Sequence, residues 1–224
     1  EIYAVAYQGA DNDGWVKTFS IDASGEISAT TIDSLEFDAG NCVEPKMCHV
    51  SGTVFAVAYQ GMDDDGWLVT FTIDAAGEIS AAIADSFEFN PNQGNHCDII
   101  KIADGVVAVA YNDWGNDLEV FTIGIYDSGL IRHAKFDQLV VSDAFMPDPS
   151  IAHITGDIYA VAYRSNASTG KICTMEIRAD GGISDAVLDT LEFEAGLCTN
   201  FALTCHNEGV AIVAYSGPVS DGWM

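Results

Sequence analysis

The stretch AVAYQGADNDGW, residues 4–15, returns 52 residues later as AVAYQGMDDDGW, residues 56–67. The tyrosine of this stretch, Tyr7, recurs as Tyr59, Tyr111, Tyr163 and Tyr215. Gly25 recurs as Gly77, Gly129 and Gly181, and Asp33 as Asp85, Asp137 and Asp189, all at the same 52-residue step. Three landmarks on one spacing mark a tandem array, in which each unit is a supersecondary element that buries its apolar surface against its neighbours.

One unit reads as strands separated by tight turns. TVFAVAY is short, apolar and rich in β-branched and aromatic residues, as a buried strand is. DDDG supplies residues that tolerate left-handed backbone, and WLVTFTI then alternates in character. After the DAAG turn, EISAAIADSFEF is expected to be a longer outer strand. A Pro- or Gly-containing loop such as NPNQGNH or MPDPS leads to a short apolar strand, CDIIKI or SIAHI. Four antiparallel strands in about 50 residues, repeated in tandem, predict an all-β fold and a β-propeller. The units are expected near 1–42, 43–94, 95–146 and 147–198, with a partial unit at 199–224, in one propeller spanning 1–224. That gives at least four blades and leaves room for a larger ring. The AVAY strands are apolar on both faces, so Val5, Val57, Val109 and Val161 are expected to be buried between blades.

The pattern G-x-[IV]-[YF]-A-V-A-Y-x-G-x-D-x-D-G-W, continued by T-F-x-I-D-x-x-G and by I-D-S-x-E-F, resembles tandem propeller repeats of long archaeal and bacterial surface proteins. The resemblance is carried best by 1–38 and 53–90 and less well by 105–141 and 157–193. It implies an extracellular or cell-surface, repetitive module without catalysis, and it brings no catalytic residues. Two units depart from the pattern. The third moves its tryptophan to Trp114, and the fourth replaces the acidic turn with SNASTGK.

Composition narrows the partners. Thirty-four acidic residues against eight basic ones give a formal net charge of −26. Nucleic acid and anionic membrane surfaces are therefore not expected partners. No apolar run reaches the about 18 residues of a membrane span. The sequence opens at Glu1 inside an apolar run, as expected of a processed chain or a segment of a larger array. Six cysteines include no CxxC pair, so a zinc ribbon is not indicated; a disulfide set and buried free thiols both remain open. Asn166-Ala-Ser168 forms a glycosylation sequon.

Three sets of side chains are candidate sites. Asp11, Asp13, Asp63 and Asp65 sit in D-x-D-G turns that can hold Ca²⁺ through carboxylate oxygens, although the same residues are ordinary turn formers. No other cofactor is expected. Trp15, Trp67 and Trp223 share a position beside those turns, where an exposed indole can stack on a sugar and a wedged one packs between blades. His49, Lys101, His153 and Cys205 share one register on the short strands and are candidates for a channel lining. Arg132, Arg164 and Arg178 fall at unrelated repeat positions, unlike the arginine cluster of sialidase propellers. The leading expectation is a non-catalytic interaction or structural module whose partners are surface proteins or glycans, with self-association through open blade edges. A carbohydrate-binding lectin and a propeller glycoside hydrolase are the alternatives, since paired carboxylates suffice for the latter.

Overall fold

The computed structural model describes residues 1–115, 117–142, 148–207, 209–218 and 221–224, with the side chain of 142 left aside. Met146 and Pro147 of the third long loop lie outside the described residues. The fold is all-β, with five antiparallel sheets met in chain order. The first contains β1 (Ile2–Gln8), β2 (Gly14–Ser20) and β3 (Ser34–Asp38). The second contains β4 (Val43–Ser51), β5 (Val54–Gln60), β6 (Gly66–Thr72) and β7 (Asp85–Asn90). The third contains β8 (Asn95–Ala103), β9 (Val106–Asn112), β10 (Leu118–Ile125) and β11 (Ile131–Ser142). The fourth contains β12 (Ser150–Thr155), β13 (Ile158–Arg164), β14 (Gly170–Glu176) and β15 (Asp189–Glu194). The fifth contains β16 (Thr199–Asn207), β17 (Val210–Ser216) and β18 (Gly222–Trp223). A 3₁₀ turn lies at Met62–Asp64, and no helix among the described residues is long and apolar enough to cross a membrane.

Each sheet is a meander whose strands pair in sequence order, and the first strands of successive sheets, β4, β8, β12 and β16, lie side by side. The hydrophobic cores form between sheets. Val16 and Phe37 of the first sheet meet Val57, Tyr59, Val69 and Phe71 of the second. Ala56, Ala58 and Leu68, on the opposite face of the second sheet, meet Val109, Tyr111, Phe121 and Ile123 of the third. Alternate residues of one strand thus serve two cores, which is why the AVAY strands lack a polar face.

This two-sided demand explains a departure from the expected burial. Val57, Val109 and Val161 are fully buried, but Val5 is 44 % exposed. Its strand has the same sequence character, yet no described sheet covers that face. The expected long outer strand is also shorter in three units. In these, Ile21, Ile73 and Ile177 make isolated bridges to Ile27, Ile79 and Ile183, and the chain bends before the outer strand begins. The cause is local. Ser28, Ser80 and Ser184 donate to the carbonyls two residues on, while accepting from the N–H groups of Ser20, Thr72 and Glu176. Hydroxyl-to-backbone bonds of this kind compete with the ladder. The third unit has Arg132 at that position, and there β11 runs for 12 residues, with bulges.

Candidate functional site

The four inner strands β4, β8, β12 and β16 begin in a shared, unusual way. Glu44, His96, Asp148 and Asn200 occupy one repeat position, 52 residues apart. Each has left-handed backbone, with φ of 50°, 48°, 61° and 55°. The registers of β4, β8 and β16 slip at these points, between Val43 and Lys46, Asn95 and Asp98, and Thr199 and Ala202. Bulges re-aim side chains, and non-glycine residues in this region persist only where their surroundings hold them. Here they bring the four residues to the rim of one cavity of about 300 Å³, which Lys46, Cys97 and Phe201 also line.

His96 is the centre of this rim. Its Nδ1 lies 2.8 Å from Glu44 Oε2 and 3.0 Å from Asp148 Oδ1. Hydrogen bonds to Asp148 and to Glu44 outweigh desolvation and push the imidazole up to about 9. Reciprocally, the bond from His96 holds Asp148 below the usual carboxylate range, against the effect of burial. Asp148 Oδ2 also accepts the backbone N–H of Asn200 at 3.3 Å. The cluster therefore ties the second, third, fourth and fifth sheets together. Among the described residues it is the one group of three His, Cys, Asp or Glu side chains whose ligand atoms all lie within 4.8 Å of one another.

The residues singled out from sequence are placed elsewhere. Asp11, Asp13, Asp63 and Asp65 lie in the hairpins after β1 and β5. The main-chain carbonyls of Asp13 and Asp65 accept from Gly9 and Gly61 at 2.7 Å, and none of the four carboxylates joins the three-ligand group. Trp15, Trp67 and Trp223 each lie over the glycine of their own hairpin. A Cβ on Gly9, Gly61 or Gly217 would come within 2.8, 2.5 or 2.5 Å of the indole Cδ1. Trp15 and Trp67 are half-buried, and Trp223 is exposed. The register of His49, Lys101, His153 and Cys205 serves local turns. His49 and His153 pair with the carbonyls of Gly52 and Gly156, Lys101 with Asp104, and Cys205 donates to the carbonyl of Asn207. All six cysteines are free thiols. Cys42 and Cys173 are pushed up to about 12, mainly by burial.

A second set of contacts repeats between sheets. Thr18, Thr70 and Thr122 each donate a hydroxyl to the carbonyl of a glycine in the next unit, Gly77, Gly129 and Gly181. Asp33, Asp85 and Asp137 each accept the backbone N–H of Ile79, Ile131 and Ile183 at 2.8 Å. Together they form a two-point latch at every complete junction. Tyrosines add a third tie across the junctions: Tyr59 donates to Asp38, Asn90 to Tyr111, and Tyr215 to Glu194. Burial comes first in raising both Tyr59 and Tyr111, and a carboxylate second: Asp38 across the junction at Tyr59, Glu119 of its own blade at Tyr111.

The latch has two open halves. Gly25 and Ile27 occupy its receiving positions on the first sheet, and Ile27 is 60 % exposed where Ile79, Ile131 and Ile183 are buried. Thr174 and Asp189 occupy its giving positions on the fourth sheet, beside the exposed Leu188 and Leu191. A groove of about 390 Å³ runs there, lined by Ile172, Leu191, Phe193, Val213, Tyr215 and Met224.

Comparison with solved structures defines the class as a β-propeller. The chain superposes on AofleA from Arthrobotrys oligospora with a TM-score of 0.62 at 8 % identity, covering 99 % of this chain and 64 % of that one. A protein named as a candidate 6-phosphogluconolactonase from Bacteroides fragilis gives 0.60 at 13 % identity, covering 93 % and 61 %. A NanB sialidase variant from Streptococcus pneumoniae gives 0.60 at 11 % identity, covering 91 % and 32 %. The chain spans less than two thirds of each of these structures, and at such identities the likeness is one of fold. No family model matches the sequence, and no curated protein matches it. The five sheets are blades, and the Glu44–His96–Asp148 cluster sits where the inner strands of three of them begin.

Proposed function

We propose that this chain is a non-catalytic, extracellular propeller module that acts by assembly, the first blade of one copy docking on the fourth blade of another. The observation that carries this reading is the latch. It recurs at three junctions, and its two open halves match: Thr174 and Asp189 present a hydroxyl and a carboxylate, and Gly25 and Ile27 present a carbonyl and an N–H. Exposed apolar residues flank both halves, with Tyr3 and Val5 on one and Leu188 and Leu191 on the other. Apolar surface of this kind on both ends favours association.

β1 and β17 hold the same repeat position, so docking of the partner's first blade displaces β17 and pairs the incoming β1 with β16. A surface setting agrees with the net charge of −26 and with the repeat pattern. Catalysis is not part of the reading because the tyrosines raised furthest, Tyr59, Tyr111 and Tyr163, hold one repeat position and are raised first by burial, as packing residues of an array are. The propeller mouths left open by assembly are the surfaces offered to other proteins or to glycans.

A mixing experiment tests the head-to-tail geometry. Val5→Asp disables the receiving face and Leu191→Asp the giving face, both at exposed positions where the fold tolerates a charge. Each variant alone is expected to be monomeric by sedimentation, and an equimolar mixture is expected to form a 1:1 dimer through the two intact faces. A mixture that stays monomeric while the unmodified chain associates would exclude head-to-tail docking.

A further inference from the structure

We propose that Glu44, His96 and Asp148 form a binding site for a divalent transition-metal ion of the Zn²⁺ type, one ligand from each of three successive blades. The donor set is one imidazole nitrogen and two carboxylate oxygens, with Asn200 at the same repeat position on the cavity rim. A nitrogen donor favours zinc and its neighbours over the oxygen-seeking Ca²⁺ and Mg²⁺. The size of the cluster suits this. Zinc–ligand bonds of about 2.1 Å place tetrahedral donors roughly 3.4 Å apart. His96 Nδ1 is now 2.8 and 3.0 Å from its two carboxylates, and all three donor atoms lie within 4.8 Å. Rotations of partly exposed side chains are enough to open the centre.

Charge points the same way. A neutral imidazole and two carboxylates balance the charge of a divalent ion. Side-chain exposures of 48 %, 30 % and 24 % for Glu44, His96 and Asp148 leave the ion a path from solvent and room for a water ligand. The three residues have left-handed backbone, Glu44 and His96 at register slips of β4 and β8 and Asp148 just before β12, so the site is assembled by the fold and is absent from the unfolded chain. Binding therefore stabilises the propeller by linkage.

Zn²⁺ titrated into the metal-free protein in millimolar Mg²⁺ tests the proposal by calorimetry. One ion per chain is expected, insensitive to Mg²⁺, with a rise in melting temperature. His96→Ala and Glu44→Gln are expected to weaken binding by more than the roughly 10–100-fold that loss of an outer-shell partner costs. Each variant's metal-free melt shows that it is folded, and Asp63→Asn is expected to bind like the unmodified chain. Co²⁺ substitution distinguishes this site from the free thiols, because a nitrogen and oxygen donor set gives ligand-field bands without thiolate charge-transfer absorption. Displacement by Mg²⁺, unchanged affinity in folded His96→Ala and Glu44→Gln, or thiolate charge-transfer absorption would each overturn the assignment.

Discussion

The latch makes a sharp contrast between two threonines at one repeat position. Thr70 is fully buried, and its hydroxyl lies 2.5 Å from the Gly129 carbonyl of the next blade, itself buried. Thr174 holds the same position in the fourth blade but is only half-buried, at the open face. Replacing either by valine keeps the β-branched shape and the strand preference and removes only the hydroxyl. At Thr70 the loss includes a hydrogen bond, worth about 0.5–1.5 kcal/mol net, and a buried carbonyl left without its donor, for a total of about 1–3 kcal/mol. At Thr174 the change is expected to stay within about 0.5 kcal/mol, as for an ordinary surface substitution. For a domain of this size each kcal/mol moves the melting temperature by about 2–4 °C. Denaturant unfolding of the two variants, at concentrations where the chain is dissociated, gives the comparison directly. Equal midpoints for Thr70→Val and Thr174→Val would refute the latch as a stabilising element.

Other outcomes follow from the same structure. Val57→Asp, at a fully buried site between two blades, is expected to cost several kcal/mol and to abolish cooperative unfolding near ambient temperature, whereas Val5→Asp is expected to leave the melt almost unchanged. In the metal-free protein, His96 has a folded pKa raised to about 9, above its unfolded value near 6.5. Its contribution to stability is therefore complete below about pH 6.5 and is lost as pH rises through about 9, and His96→Gln is expected to flatten that decline in melts taken across the range. With a net charge of −26, NaCl is expected to raise the melting temperature by screening. CaCl₂ at matched ionic strength is expected to do the same and no more, and a gain saturating at low Ca²⁺ would place an ion at the Asp11 or Asp63 turns.

The blades were legible because their cause is repeated. The tyrosine, glycine and aspartate landmarks mark the turns and junctions that every unit must make, and the apolar AVAY strands report burial on two sides. The exposure of Val5 was not legible, because its sequence matches that of Val57 and the difference lies in whether a neighbouring sheet is present. The shortened outer strands follow from three serine hydroxyls, whose competition with the ladder is a matter of geometry that the pattern EISAAIADSFEF does not display. The mouth cluster was hidden for another reason. Glu44, His96, Asp148 and Asn200 share a register but not a residue type, so in an alignment of units they look like decay of the repeat. They lie five positions before the His49, Lys101, His153 and Cys205 register of the inner strands. The bulges that turn these side chains to one rim leave no mark in the sequence.

Assembly through the open halves of the latch is tested most directly by the molar mass of the unmodified chain in solution. Light scattering over a range of concentrations is expected to give a mass that rises above 23.8 kDa and falls back towards it on dilution. A compact species of 23.8 kDa at every concentration would contradict docking between copies and would argue instead for closure within one chain.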